Sequence, residues 1–245
     1  MLIGAPGSGK STFFEWLQLT TAFPEVKGTN PEAIFLDTRG VQQVIPLLLR
    51  VRQLNADSLP NIRQLVENAI ASQDVAALMP AGWMQRQMTQ GRILFMLDGV
   101  DEIAPEKRDS QLLPWLKDIV ETYPDCRYLL SSRPTGYPEG ALNALGFAEC
   151  DLLEFDEERI RIYTTNWHTA IRLARNEPKD ESRAKGEEEA KRVIASFETN
   201  PYIQDLAKNP LMLSAICLVY EFEGGQLPED RAKLYQLCVE GLLHN

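Results

Sequence analysis

The chain has 245 residues, 44% apolar and 24% charged, a length that buries about three quarters of the surface its unfolded form exposes. A formal charge of -10 and a pI near 4.8 argue against a protein that tracks along nucleic acid, whose binding rests on lysine and arginine against phosphate, so no direct nucleic-acid partner is expected. No apolar run reaches the roughly 18 residues of a membrane span and no secretion signal opens the chain, so a soluble, cytoplasmic protein without a membrane partner is expected.

Met1–Ile3 reads as a strand, and three residues are few against a typical five or six, which predicts a chain cut from a longer protein. Gly4-Ala5-Pro6-Gly7-Ser8-Gly9-Lys10-Ser11-Thr12 then matches the phosphate-binding pattern G-x-x-x-x-G-K-[ST] at every fixed position. Its glycines let successive N–H groups turn inward as an anion nest, and Lys10 and a helix N-terminus add positive charge. Ser11 offers a hydroxyl to Mg2+. These residues predict binding of a nucleoside triphosphate. The following helix, Ser11–Leu19, is apolar on most sides, as a helix buried against a sheet should be.

Farther on, Ala33–Leu36 reads as a short extra strand cut off by Thr38-Arg39-Gly40, and Ile45–Arg52 as a full one. Helices are predicted near Asn61–Ser72, Ala81–Thr89 and Gln111–Thr122, with strands at Ile93–Asp98, Tyr128–Ser132 and Glu149–Leu153. Alternation of apolar β-type runs with amphipathic stretches argues for parallel strands joined by crossover helices, an α/β fold. Cys126, Cys150, Cys217 and Cys238, with only His168 and His244 to join them, assemble no zinc spacing and read as buried, reduced thiols.

Two strand ends carry the chemistry. Arg92 to Glu102 is a buried strand that terminates in Asp98-Gly99-Val100-Asp101-Glu102. Ligands of open α/β sheets collect at the C-terminal ends of strands, so Asp98 is the candidate Mg2+ ligand opposite Ser11. At roughly 3.3 Å per residue, Asp101 and Glu102 project about 10 Å beyond Asp98, a distance that suits a base activating water near a γ-phosphate. Glu102 is the first candidate for that base and Asp101 the second. Tyr128-Leu129-Leu130-Ser131-Ser132-Arg133-Pro134 is another strand, and Pro134 keeps Arg133 extended. Arg133 stays charged and forks onto two oxygens, which suits a reporter of the γ-phosphate. An arginine capping the sheet edge is the competing reading.

After Phe155 helical periodicity takes over. Ile160, Tyr163, Trp167 and Ile171 form one stripe, read as packing. The charged run 172–192 reads as a solvated helix or linker. Helical stretches at Tyr202–Phe222 and Pro228–His244 complete a small helical lobe, giving a nucleotide-binding domain over 1–155 and a helical subdomain over 156–245.

The set GAPGSGKST, IPLLLRVRQL, ILFMLDGVDEI, YLLSSRPTGY, KNPLMLSAI and LPEDRAKLYQLCVEGLL, in that order, resembles the NACHT class of STAND ATPases, the cores of NOD-like receptors and of bacterial antiviral proteins. Its most specific mark is Gly99 between Asp98 and the further acids, where most related ATPases carry a glutamate directly after the magnesium aspartate. The resemblance implies a P-loop NTPase three-layer sandwich, with a five-stranded parallel sheet of order 5-1-4-3-2 and a C-terminal helical subdomain. It implies ATP and ADP as ligands, and a slow ATPase that self-associates when ATP-bound, in signalling or innate antiviral defence. Asn209-Pro210-Leu211 matches the family's short proline motif near the adenine and ribose; from the residues alone it is a helix start with proline in the first turn. The same resemblance implies a winged-helix domain after Asn245, an effector domain before Met1 and sensing repeats farther downstream.

Other classes fit less well. A rapid-turnover AAA+ motor or loader needs the adjacent Asp-Glu that Gly99 interrupts. A GTPase needs an Asn-Lys-x-Asp motif, which the chain lacks. A small-molecule kinase needs an arginine-rich lid, and 172–192 is too acidic for one. A scaffold that binds ATP without hydrolysing it is disfavoured by the presence of both Asp98 and Glu102.

Overall fold

The computed structural model describes residues 1–22, 44–55, 57–61, 64–65, 78–137, 140, 142–198, 200–228 and 231–243. The predicted strand Ala33–Leu36 and most of the predicted helix Asn61–Ser72 lie outside them. Contacts divide the chain into two compact units: residues 1–6 with 10–152, and residues 153–245 with Gly7–Gly9.

The first unit is built on β1 (Leu2–Ile3), α1 (Lys10–Ala22), β2 (Ile45–Arg50), α2 (Trp83–Thr89), β3 (Ile93–Asp98), α3 (Leu113–Thr122), β4 (Arg127–Ser132) and β5 (Cys150–Asp151). The strands form one five-stranded sheet, order β2-β3-β4-β1-β5, with every pairing parallel. Counted from the β5 edge, that order runs 5-1-4-3-2. Alternate side chains leave a strand on opposite faces. Leu94 and Met96 accordingly join Phe14 and Leu17 of α1, while Ile93, Phe95 and Leu97 join Met88 of α2 and Leu116 and Ile119 of α3. All six residues of β3 are buried, as a central strand covered on both faces requires.

Several boundaries differ from the sequence expectation for physical reasons. The strand predicted to Arg52 stops at Arg50, because its neighbour ends at Asp98, paired with Arg50; Val51–Gln53 then turns into a 3-10 helix. The strand predicted over Glu149–Leu153 is two residues long, because it pairs only with the two-residue β1. On that outer edge Cys150 is exposed, against the expectation of a buried thiol, whereas Cys126 and Cys217 are buried. The helix expected from Gln111 is entered through a turn at Pro105–Lys107 and a π-helical turn at Arg108–Leu112. Pro114, in the first turn of α3, has no N–H for the carbonyl four residues back, and a widened turn accommodates that.

The second unit is helical: α4 (Glu157–Ala174), α5 (Lys179–Glu198), α6 (Pro201–Ala207), α7 (Pro210–Phe222) and α8 (Arg231–Leu243). Ile160, Val193, Phe197, Ile203, Leu213, Ile216, Val219 and Leu234 form its core, with Tyr163 and Trp167 packed against them. The charged run 172–192 is helix over most of its length, interrupted by a turn that holds Asn176 at φ 62°. The stretch predicted as one helix from Tyr202 is two. Pro210 cannot donate, and the Asn209 side chain caps α7 by accepting from Leu211 N at 3.0 Å and Met212 N at 3.3 Å.

Candidate functional site

The phosphate loop leaves β1 and enters α1 at Lys10. Gly7 and Gly9 hold φ values of 76° and 93°, a region that side chains other than glycine's strongly disfavour. Lys10 Nζ donates to the carbonyls of Gly4 at 2.6 Å and Ala5 at 3.0 Å. Burial is the main cause that lowers the Lys10 pKa, with Arg133 adding to it, while Asp101 and Asp98 raise it. The ammonium therefore feels all three side chains that the strand ends were expected to bring to it. The Ser8 hydroxyl is buried with no hydrogen-bond partner, and an orphaned donor in a positively charged loop fits an anionic ligand. Ser11 and Thr12 are exposed at the start of α1.

Asp98 ends β3 and is buried. Its Oδ1 accepts from Ser131 Oγ at 2.5 Å, and Ser131 Oγ in turn accepts from Gly99 N at 2.9 Å. The register pairs Leu97 with Leu130, so Asp98 and Ser131 are next in line on adjacent strands. A hydrogen bond to a carboxylate contributes about 1.5–3 kcal/mol, enough to lock one oxygen and leave Oδ2 as the acceptor for a cation. Mg2+ with an aspartate, a serine hydroxyl and phosphate oxygens suits such hard donors. Among the described residues no group of three His, Cys, Asp or Glu side chains converges as a metal site.

Beyond Asp98 the chain turns sharply at Gly99, φ 84°. This turn separates the two candidate bases. The Asp101 carboxylate is occupied: Oδ1 accepts from Arg133 N at 2.9 Å and Oδ2 lies 3.1 Å from Arg133 Nε. The side chain of Asp101 is only 9% exposed while that of Arg133 is 49% exposed, so the acid is the fixed partner and the guanidinium the one facing solvent. Glu102 folds back over Gly99, where a Cβ would fall 2.8 Å from Glu102 Cδ. Glu102 is exposed, and its carboxylate meets no hydrogen-bond donor among the described residues. Arg133 is thus tied to Asp101, an arrangement that neither sequence reading of this arginine contains.

Pro210 falls in the first turn of α7. In the second unit, to which Gly7–Gly9 belong, Leu211 N donates to the Gly7 carbonyl at 3.2 Å. The Asn209 amide crowds Gly7, its Oδ1 lying 2.7 Å from where a Cβ would stand.

Sequence reasoning missed Ser131, Arg108 and Gly136. Only the polar end shared by two neighbouring strands signals Ser131. Arg108 is buried, and its Nη1 donates to the Gly136 carbonyl, a pairing that no local pattern announces.

A family model described as NACHT domain matches residues 1–170, from β1 into α4. No curated protein matches the chain.

Proposed function

The chain belongs to the NACHT family, nucleotide-binding NTPase modules of the STAND type, and from that membership we propose that it is a slow ATPase acting as a nucleotide-dependent oligomerisation switch. The observation that carries the reading is the phosphate loop itself, with Gly7 and Gly9 at positive φ, Lys10 bonded back to the Gly4 and Ala5 carbonyls and an orphaned Ser8 hydroxyl; the charges of Asp98, Asp101 and Arg133 are felt at Lys10. Residues 4–12 cradle the phosphates, with Pro210 near the base. Ser11 and Asp98 hold Mg2+, which when bound neutralises charge on the phosphates.

Glu102 is the proposed base. An exposed carboxylate without a donor can take a proton from water, and Asp101, with both oxygens engaged by Arg133, cannot do so without releasing it. Asp101 is therefore better suited to aim the arginine. Arg133 reports the γ-phosphate, offering its solvent-facing terminal guanidinium nitrogens to phosphate oxygens while Asp101 keeps hold of Nε. A switch driven from 1:99 to 99:1 needs about 5.5 kcal/mol of differential affinity, and only the γ-phosphate distinguishes the two nucleotides. A cytoplasmic place in innate antiviral signalling, with effector and sensor domains outside 1–245, follows the family and is part of the proposal. In this reading residues 1–155 are the nucleotide-binding domain and residues 156–245 the helical subdomain.

The test is sedimentation of the chain with Mg2+ and either ATP or ADP, together with a steady-state rate. The expected result is association with ATP alone and turnover below about one per second. Equal sedimentation in both nucleotides, or faster turnover, removes the switch in favour of a turnover ATPase.

A further inference from the structure

We propose that Arg108 is a positioning residue for Arg133: it clamps the turn at Pro134–Gly136, the turn wedges Asp101 in place, and Asp101 aims the Arg133 guanidinium. The proposal rests on the reading of Arg133 as the γ-phosphate reporter.

Burying a guanidinium is costly unless its donors are paired. Arg108 is 5% exposed and begins the π-helical turn, a widened turn of the sort often found at functional sites. Its Nε donates to Asp109 Oδ1 at 2.7 Å, but that carboxylate is on the surface, 60% exposed. The bond directed inward is Nη1 to the Gly136 carbonyl. An apolar side chain could fill the same space with no charge to desolvate, so the arginine is explained by what it holds.

What it holds stands directly against Asp101. A Cβ on Gly136 would overlap Asp101 Cβ and fall 3.1 Å from Asp101 Cα, so glycine is the residue that lets the turn press this close. Gly136 N also donates to the Arg133 carbonyl at 3.2 Å. The turn therefore grips Arg133 by its carbonyl and, through Asp101, by its backbone N–H, which donates to Oδ1 at 2.9 Å, and by its side-chain Nε, 3.1 Å from Oδ2. Four residues from three segments form one chain of contacts that ends on a half-exposed cation felt by Lys10. The rival role is a plain latch for the loop after Gly136: Arg108 also stands near Tyr137, whose hydroxyl accepts from Leu142 N at 2.7 Å. A latch affects folding stability and leaves nucleotide discrimination unchanged; a positioning residue affects discrimination.

The experiment is calorimetric titration of the full 245-residue chain with Mg2+ and either ADP or the slowly hydrolysed analogue ATPγS. Arg108→Met should leave ADP affinity within twofold and weaken ATPγS about tenfold, as expected when one charge-assisted contact to the third phosphate is lost. Arg108→Lys, which retains a donor for the Gly136 carbonyl, should recover part of that loss. Gly136→Ala should reproduce it with Arg108 intact, and serves as the independent variant if Arg108→Met does not fold. Equal weakening of both nucleotides, or of neither, overturns the proposal. Arg133→Ala separates the two levels: if it removes the preference for ATPγS while Arg108→Met and Gly136→Ala keep it, the positioning role fails and the reporter stands. If Arg133→Ala keeps the preference, the reporter reading itself fails.

Discussion

The two units handle charge in opposite ways. In the sheet unit, polar groups are drawn inward at the strand ends and held by one another: Asp98 by Ser131, Asp101 by Arg133, Arg108 by a backbone carbonyl. In the helical unit, much of the charge lies on exposed faces as short-range pairs such as Arg161 with Glu158 and Arg192 with Glu188; the buried His168 beside Glu221, and the largely buried Arg172 with Glu177 and Glu189, depart from this. Groups fixed in a partly dry setting can be read by a ligand, because each has few alternatives. Surface pairs exchange freely with water and each contributes about 0–1 kcal/mol. The contrast accords with the proposal that the chemistry lies at the strand ends, while the helices pack a core of their own.

The largest effect that could break this contrast is on hydrolysis. Glu102→Gln should keep nucleotide binding and reduce the single-turnover rate about 100-fold to 10,000-fold, the range for loss of a general base. Normal hydrolysis in Glu102→Gln with none in Asp101→Asn would transfer the role to Asp101. Next, Lys10→Ala should weaken nucleotide binding by calorimetry about 100-fold or more, since a charge-assisted contact contributes roughly 1.5–3 kcal/mol and the ammonium meets several oxygens. On the helical side, Asn209→Ala removes the cap of α7 and should cost about 1 kcal/mol in denaturant unfolding. Arg192→Ala should change stability by about 0.5 kcal/mol or less; a larger loss would mean that the helical unit also relies on its ion pairs.

Acid sharpens the same comparison through His168. Burial lowers its pKa below the ordinary 6.5, against the opposing pull of Glu221 and Glu189, and Arg172 adds to the lowering. His168 Nδ1 lies 3.1 Å from Glu221 Oε1, while Nε2 is buried without a partner. The unfolded chain therefore takes up the proton first. Stability is intact above about pH 6.5 and declines as pH falls from there through the lowered folded value. Thermal unfolding across that window should show a slope that His168→Gln flattens.

Much of the sheet unit was legible because its signals are local. Gly4–Thr12 is a fixed pattern, β3 is a run of five apolar residues followed by an acid, and both were placed from spacing alone. The hydrophobic stripe through Ile160, Tyr163 and Trp167 foretold the helical core by its period. What the sequence concealed depends on pairing between distant segments. Strand lengths at β2 and β5 are set by where their partners end. The tie between Asp101 and Arg133 joins residues 32 apart, and that of Arg108 with Gly136 residues 28 apart. The break at Asn209 does carry a local signal, since Asn209-Pro210 reads as a helix start, although the stretch Tyr202–Phe222 was expected as one helix.

The placement of the cysteines equips each unit with its own clock. Cys126 in the sheet unit and Cys217 in the helical unit are buried, and burial pushes the Cys126 thiol up and the Cys217 thiol up to about 12. Only the thiolate attacks an alkylating reagent, so each is silent until its own surroundings open. With Cys150→Ser and Cys238→Ser as background, the two alkylation rates would time the breathing of sheet and helices separately, in one tube and without a denaturant.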